Sequence, residues 1–190
     1  MQNKKLAFGM MRLPQLDDNP EHVDLEKTCE MVDTFLQKGY TYFDTSYVYH
    51  NGKSEEFTRR ALVERHPRES FTLATKLPTW AIKSEEDVKR IFAEQLQNCG
   101  VDYFDYYLVH NLNSGFYDNI VTPYHIFEIL SEYKKESKIK HLGFSVHDAP
   151  EFLERILNEH PEVEFVQIAF NYYDYSAVTA NWLTLWNRLK

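Results

Sequence analysis

The sequence has 190 residues, 43% of them hydrophobic, with 29 acidic and 21 basic side chains and a net charge of −8. This length suits one compact domain with a sizeable core, and the 15% share of aromatic residues argues against disorder. The acidic balance and the lack of a Lys/Arg block argue against a nucleic-acid partner. No apolar run approaches the roughly 20 residues that span a bilayer. Cys29 and Cys99 form neither a disulfide framework nor a CxxC metal pair, so we expect a cytoplasmic protein without a membrane or metal partner.

The first quarter of the chain predicts a strand, a helix and a second strand. The apolar run Lys5–Met10 predicts the first strand. Apolar residues at helical spacing from Leu25 to Leu36 predict the helix, with Gly39 as the left-handed residue just past its end. The run Tyr40–Thr45 predicts the second strand, apolar on both faces as a buried parallel strand is.

The same alternation continues through the middle of the chain. Ser54 opens a second helix that ends before Pro67, and Phe71–Leu77 predicts the third strand. Ser84 is the predicted N-cap of a third helix, whose first turn is acidic and which ends at Gly100.

The second half predicts three more strands. Phe104–His110 is the fourth, and the unpatterned stretch Asn111–Val121 follows it as a predicted loop. Thr122 is the predicted N-cap of the fourth helix. The remaining predicted elements are the fifth strand His141–Val146, a fifth helix capped by Asp148, and the sixth strand Val163–Phe170.

Regular strand–helix alternation predicts an α/β fold, with a parallel sheet and the helices outside it. Two arrangements compete, an open doubly wound sheet and a TIM (β/α)8-type barrel. The GxGxxG fingerprint of the dinucleotide-binding open sheet does not follow the first strand. Polar residues stand instead at or near the carboxyl ends of five successive strands, where a barrel carries its chemistry. They are Asp44, Lys76, His110, Ser145 and Gln167. We expect an incomplete barrel of about six β/α units.

Four of the polar positions carry a family resemblance. Asp44 ends the second strand, Tyr49 lies five residues further on, Lys76 ends the third strand and His110 the fourth. In this order and at these strand ends they resemble the catalytic tetrad of the aldo-keto reductase family, and the resemblance covers residues 5–175. The segment FDTSYVYHNGKSE, together with LPTW after Lys76 and VHN at His110, resembles sequences from one branch of this family. Members of that branch often carry a C-terminal iron–sulfur region.

The resemblance implies an NAD(P)H-dependent oxidoreductase that reduces aldehyde or ketone carbonyls of small molecules. Such a reduction needs a hydride from the nicotinamide and a proton for the developing alkoxide. Tyr49 is the implied proton donor, and a lysine cation beside a tyrosine favours its phenolate form. Asp44 then anchors Lys76, and His110 positions the carbonyl.

The resemblance also implies a set of cofactor contacts. Ser145 and Gln167 resemble the residues that bind the nicotinamide carboxamide, and Asp44 is a further implied cofactor contact. Met10 and Met11 resemble the first-strand loop whose backbone approaches the cofactor. We expect NADPH as the cofactor, and the sequence leaves NADH open.

The end of the chain departs from the family. Residues 1–175 are the predicted barrel portion, and 176–190 are a predicted amphipathic tail outside the family, with Trp182 and Trp186 on its apolar face. Because a family barrel has two more strands, we expect a C-terminally truncated member with an open barrel edge. We expect it to self-associate, or to be unstable alone, through its sixth-strand edge and the Trp182/Trp186 face. Three functions follow: an active reductase, a non-catalytic aldo-keto-reductase-like binding module, or an inactive truncation product.

Overall fold

The computed structural model describes residues 5–169, which form one sheet of six parallel strands in the sequential order β1-β2-β3-β4-β5-β6. The strands are β1 (Ala7–Gly9), β2 (Tyr42–Asp44), β3 (Thr72–Pro78), β4 (Phe104–Leu112), β5 (Ile139–Val146) and β6 (Phe165–Ile168). All six predicted strands are present, with ends that differ by a few residues. The sequential order has no switch point, so the sheet is a half-barrel and the doubly wound alternative is wrong.

Six α-helices accompany the strands within residues 5–169, and all but the short helix after β4 contribute buried side chains to the core. They are α1 (Leu25–Gln37), α2 (Ser54–Thr58), α3 (Glu85–Cys99), α4 (Ser114–Phe116), α5 (Ile126–Lys135) and α6 (Pro150–Glu159). Phe35 of α1 packs on Phe43 of β2, with ring centroids 5.2 Å apart. Phe92 of α3 packs on Tyr107 of β4, with centroids 5.1 Å apart. None of the helices within residues 5–169 has the length and apolar character needed to cross a membrane.

The ends of the first and third helices are where the sequence predicts them. The Ser84 hydroxyl accepts the backbone N–H of Asp87 at 3.3 Å and so caps α3. Gly100 ends that helix with a φ of 68°, and Gly39 follows α1 with a φ of 75°. Both glycines supply the left-handed conformation that lets a helix stop.

The predicted N-caps of the last two helices are wrong. His125, with a φ of 48°, stands before α5 in place of Thr122, because Thr122 lies at the end of a π-helical turn. Ala149 stands before α6 in place of Asp148. The Asp148 carboxylate instead accepts the backbone N–H of Ser114 at 2.7 Å and that of Ala149 at 2.7 Å, tying the two segments together.

The stretch after β4 is more ordered than the predicted loop over Asn111–Val121. It contains α4, capped by the Asn113 side chain, and the π-helical turn Tyr117–Val121. Tyr117 is buried, and its hydroxyl lies 2.5 Å from Glu159 and 2.8 Å from His160. These contacts hold the segment against α6. The predicted tail over 176–190 lies outside the described residues.

A layer of rings lines the sheet face opposite the helices. Tyr42 alternates with the helix-facing Phe43 along β2 and therefore lies on this other face. Its ring centroid is 5.0 Å from that of Tyr106, which in turn lies 4.9 Å from His141 and 5.2 Å from Phe165. The rings fill the inside of the half-barrel below the carboxyl ends of the strands.

Gly143 makes room for this layer, because it pairs with Phe165 across β5 and β6. A Cβ at Gly143 would lie 2.5 Å from the backbone oxygen of Phe165 and 2.6 Å from its ring. Since a backbone atom cannot yield as a flexible side chain does, we expect Gly143→Ala to lower the free energy of unfolding by about 1–3 kcal/mol. Urea denaturation measures the loss. Gly9→Ala is the matched control, since a Cβ there meets nothing within 4 Å; equal losses in the two variants would contradict the packing argument.

Candidate active site

The structure brings the four predicted catalytic side chains to one end of the half-barrel. Asp44 ends β2, Lys76 lies near the end of β3, His110 lies near the end of β4, and Tyr49 follows β2 in a turn. An ion pair and ring contacts join the four side chains there. The carboxyl ends of parallel barrel strands are the edge at which barrel enzymes carry their active sites.

A buried ion pair lies at the centre of this group. Lys76 is 1% exposed, and its Nζ donates to Asp44 Oδ1 at 2.5 Å and to the backbone oxygen of Thr45 at 2.8 Å. Burying an unpaired ammonium is costly, so the two oxygens are what allows this lysine to stay charged inside the protein. The pair gives the mouth of the half-barrel a fixed cation.

The Tyr49 ring is held over this cation by the turn that carries it. The Lys76 Nζ lies 4.9 Å from the centroid of the ring. The turn is sharp, with His50 and Asn51 at φ values of 52° and 53°. His50 is locked in place, since its ring nitrogens lie 2.8 Å from the Pro20 oxygen and 3.0 Å from a second backbone oxygen. These contacts hold the turn in one conformation and thereby fix the orientation of the Tyr49 side chain.

His110 stands on an irregular end of β4. The register with β5 shifts between Val109 and Leu112, and such irregularities redirect a side chain. The Thr79 hydroxyl donates to the backbone oxygen of His110 at 2.8 Å. The imidazole faces the Tyr49 ring edge-on at 6.0 Å and lies 5.2 Å from the Trp80 ring. The histidine is therefore held between two aromatic rings at the mouth.

The surroundings of His110 keep its imidazole neutral. Burial, helped by the nearby Lys76 cation and by His147, lowers the pKa of His110 to about 3. A neutral imidazole has one N–H donor and one nitrogen acceptor. At neutral pH the residue is thus a hydrogen-bonding group and not a second cation.

Two adjoining clefts open beside these residues. One has a volume of about 370 Å³ and includes Trp80 and Val48 in its lining, and the other, of about 320 Å³, includes Lys76. Tyr49 and His110 line both clefts. Within residues 5–169, no three metal-binding side chains come close enough together to hold an ion. The clefts offer room for small organic molecules beside the tyrosine.

The second cleft has polar groups that complement a carboxamide. Ser145 accepts the backbone N–H of Asn111 at 2.8 Å, and within residues 5–169 its hydroxyl proton has no acceptor. Gln167 directs its amide nitrogen to Asp44 Oδ2 at 3.3 Å, because a carboxylate can only accept. Within residues 5–169 its amide oxygen has no hydrogen-bond partner, and the residue lines the cleft. One free donor and one free acceptor are the groups that a nicotinamide carboxamide needs, so these residues fit the cofactor.

The two predicted methionines have different surroundings. Met11 is 53% exposed and lines both clefts. Met10 is buried in the core, and its backbone oxygen already faces His50 and the Ser54 hydroxyl. The structure therefore brings Met11 to the clefts and leaves Met10 behind them.

The sequence patterns do not reveal a buried polar network behind β3. Glu55 is fully buried, and its carboxylate accepts from Thr75 at 2.7 Å, Gln95 at 2.7 Å and Asn98 at 3.2 Å. Burial raises the pKa of the Glu55 carboxyl, against the effect of these donors. Gln95 also donates to the backbone oxygen of Lys76 at 3.1 Å. The network braces the strand that carries the lysine from its helix side.

The fold and the site agree with one protein family. The sequence profile of the aldo/keto reductase family matches residues 5–186, a span that runs into the predicted tail. The chain therefore belongs to the aldo/keto reductase family. Its similarity to an aldo-keto reductase of Mycolicibacterium smegmatis is 31% identity over 152 residues, covering 77% of this chain and 50% of that protein.

Other relatives support the same assignment. A probable aldo-keto reductase of Glycine max is 29% identical over 178 residues, which cover 88% of this chain and 48% of the relative. The chain thus spans about half the length of these two proteins. Among solved structures, an aldo-keto reductase from Klebsiella pneumoniae in complex with NADPH has the same fold, with a TM-score of 0.73 at 20% identity. That likeness covers 94% of this chain and 59% of the other.

The neutral state of His110 predicts a pH dependence of stability. Its pKa is about 3 in the folded protein, against 6.5 for a free imidazole, so the unfolded chain binds more protons between these values. Stability is therefore lost as the pH falls from about 6.5 toward 3. Between pH 7 and pH 5 we expect the wild type to lose about 2 kcal/mol more than His110→Asn.

Urea denaturation at the two pH values measures this difference. His22→Asn, at an exposed loop position, controls for the change in charge. A wild type and a His110→Asn variant that lose equal stability would show that the folded protein does not keep this imidazole neutral.

Proposed function

We propose that this protein is part of an NAD(P)H-dependent carbonyl reductase acting on aldehydes or ketones. The observation that supports it most is the buried Lys76–Asp44 pair beneath the Tyr49 ring, with neutral His110 at the same mouth. A structural ion pair would need neither the tyrosine over it nor a cleft beside it. The intact set therefore favours a reductase over a non-catalytic binding module.

Each residue of the set has a distinct task in this proposal. A bound nicotinamide supplies the hydride that reaches the carbonyl carbon and leaves charge on its oxygen. Tyr49 donates its hydroxyl proton to that oxygen, and the phenolate that remains is stabilised by the Lys76 cation. Asp44 holds the ammonium in place. His110 donates a hydrogen bond that orients the carbonyl and polarises it.

The proposed cofactor is NADPH, with NADH as the second candidate. Ser145 and Gln167 would hold its carboxamide and Met11 would lie beside it, while Met10 would support this segment from the core. A relative from Escherichia coli, 27% identical over 164 residues, is an NADH-specific methylglyoxal reductase, and the Klebsiella pneumoniae structure holds NADPH. These two proteins support a nicotinamide cofactor in the family without deciding between the two forms.

Several finer predictions accompany this function. The sequence of residues 43–55 supports membership of the branch whose proteins often carry a C-terminal iron–sulfur region. C-terminal truncation, the division into 1–175 and 176–190, and a cytoplasmic location stay predictions. Because the family resemblance places most cofactor phosphate contacts on the seventh and eighth strands, we propose that full activity needs all eight β/α units.

The proton-donor assignment predicts a sharp loss of turnover in Tyr49→Phe. In a polypeptide that carries all eight β/α units, this variant should lose at least about 100-fold in kcat for 4-nitrobenzaldehyde. NADPH affinity should stay close to wild type, since only the donated proton is removed. Lys76→Met should be equally damaging, and His110→Ala should chiefly weaken carbonyl positioning. NADPH consumption and cofactor titration measure the two effects.

Tyr47→Phe is the matched control for this experiment. Tyr47 is two residues before Tyr49 in the chain. Its hydroxyl donates to Glu94 at 2.9 Å, on a different surface. The control should keep its turnover. Normal reduction rates in Tyr49→Phe would overturn the proton-donor role and with it the proposed reaction.

We also propose that the half-barrel self-associates with a second copy through its β1 edge, at the opposite end of the sheet from the sixth-strand edge favoured by the sequence. In the described residues β1 pairs with β2 alone, so one side of β1 has no strand partner. A groove of about 340 Å³ lies along this edge and is lined by apolar side chains that include Leu6, Phe8 and Met31. An unpaired strand beside an apolar groove is a template for another chain.

Self-association through this edge predicts a specific effect of one charge. Leu6 is 53% exposed at the groove, and Leu6→Lys should shift the protein toward monomer in sedimentation velocity. Leu16→Lys is the control, because Leu16 is 72% exposed on a loop and does not line the groove. A wild type that sediments as a monomer at all concentrations would contradict the proposal.

A further inference from the structure

Ser46 lies next to the candidate catalytic histidine and has no role in the reaction described so far. Its side chain is fully buried, and its Oγ lies 3.2 Å from His110 Nδ1. Its backbone oxygen accepts the N–H of Tyr49 at 3.3 Å. One buried residue thus contacts two members of the catalytic set.

The hydrogen-bond partners of Ser46 decide which imidazole nitrogen carries the proton. Within residues 5–169, neither the Ser46 hydroxyl nor His110 Nε2 has another hydrogen-bond partner. If Nδ1 carried the proton and donated it, the buried hydroxyl would have no acceptor for its own hydrogen. If Ser46 donates instead, the hydroxyl and Nδ1 are both satisfied. Leaving a buried donor unpaired is costly, so the second arrangement is favoured.

We infer that Ser46 is a positioning residue that donates to His110 Nδ1 and thereby keeps the imidazole proton on Nε2. Because Nδ1 faces Ser46 and the ring lines both clefts, Nε2 is the nitrogen available to a bound molecule. The Tyr49 and Trp80 rings flank the imidazole at 6.0 and 5.2 Å and limit its reorientation. The Ser46 hydroxyl, on the side of the ring away from the clefts, therefore determines the tautomer of His110.

The tautomer matters for the chemistry, and this step rests on the proposed function. An Nε2–H donates a hydrogen bond to a carbonyl oxygen, whereas a bare Nε2 presents a lone pair to the lone pairs of that oxygen. Two of the three ammonium protons of Lys76 are already donated to Asp44 and to a backbone oxygen, so Lys76 is a poorer source of this hydrogen bond than His110. Ser46 would thus act on the reaction only through His110.

The test is the tautomer of His110 by two-bond and three-bond 1H–15N NMR at pH 7, on the whole 190-residue chain. The His110→Asn spectrum identifies the signals among the eight histidines. In the wild type we expect the proton on Nε2. In Ser46→Ala we expect the ratio of Nε2–H to Nδ1–H to fall about fivefold, the effect of one hydrogen bond.

Ser54→Ala is the matched control, because it removes another fully buried serine hydroxyl. That hydroxyl lies 2.8 Å from Thr45 Oγ1 and 3.4 Å from the Met10 oxygen, and has no bond to His110. The control should keep the wild-type tautomer. Ser46→Thr, which retains the hydroxyl, should also keep it, and provides the comparison if Ser46→Ala does not fold.

A proton on Nδ1 in the wild type overturns the inference, and so does an unchanged ratio in Ser46→Ala. A turnover measurement in the eight-unit polypeptide keeps this result separate from the proposed function. There Ser46→Ala should lower kcat/KM for 4-nitrobenzaldehyde about fivefold while NADPH affinity stays unchanged. If the tautomer is as inferred but no form reduces a carbonyl, Ser46 keeps its role and the reductase proposal fails.

Discussion

The ammonium group of Lys76 has to be paired once β3 carries it into the interior, and both of its partners lie on the segment that ends β2. Asp44 and the Thr45 oxygen reach it only when the two strands align as they do, with Asp44 beside Ala74. A slip by one residue would turn Lys76 toward the helices and leave the charge unpaired. The requirement to pair one buried cation therefore fixes strand register and places the turn that carries Tyr49.

Asp105, a buried carboxylate at the other end of the strands, shows that the position of an ion pair matters more than the pairing itself. Asp105 stands at the start of β4 and pairs with Arg68 at 2.6 Å and with the more exposed Lys140 at 2.9 Å. It lies at the opposite end of the strands from the clefts, where charged groups of a barrel contribute to stability. Pairing alone does not make a site; the Lys76 pair is distinguished by the ring and the cleft beside it.

The strands and the polar side chains at their ends could be predicted because each is encoded locally, whereas Tyr49 is identified through the family resemblance. A buried strand is an apolar run, and a polar residue at its carboxyl end is visible in the sequence. The Glu55 network could not be predicted in the same way, because its donors are contributed by Thr75 of β3 and by Gln95 and Asn98 of α3. Its one local sign is Gln95, a buried amide on the apolar face of its helix. The wrong cap at Asp148 has a similar cause, since its carboxylate binds the distant Ser114 N–H.

The two faces of β3 explain how the site keeps its shape. Lys76 faces the cleft, while its neighbour Thr75 faces the helices and donates to Glu55. Gln95 connects the Glu55 network to the strand itself, since its amide nitrogen contacts both the Glu55 carboxylate and the backbone oxygen of Lys76. Movement of the lysine backbone would therefore disturb the hydrogen bonds of a fully buried carboxylate. A cation held from both sides needs little rearrangement when charge develops beside it, which is the condition for electrostatic catalysis.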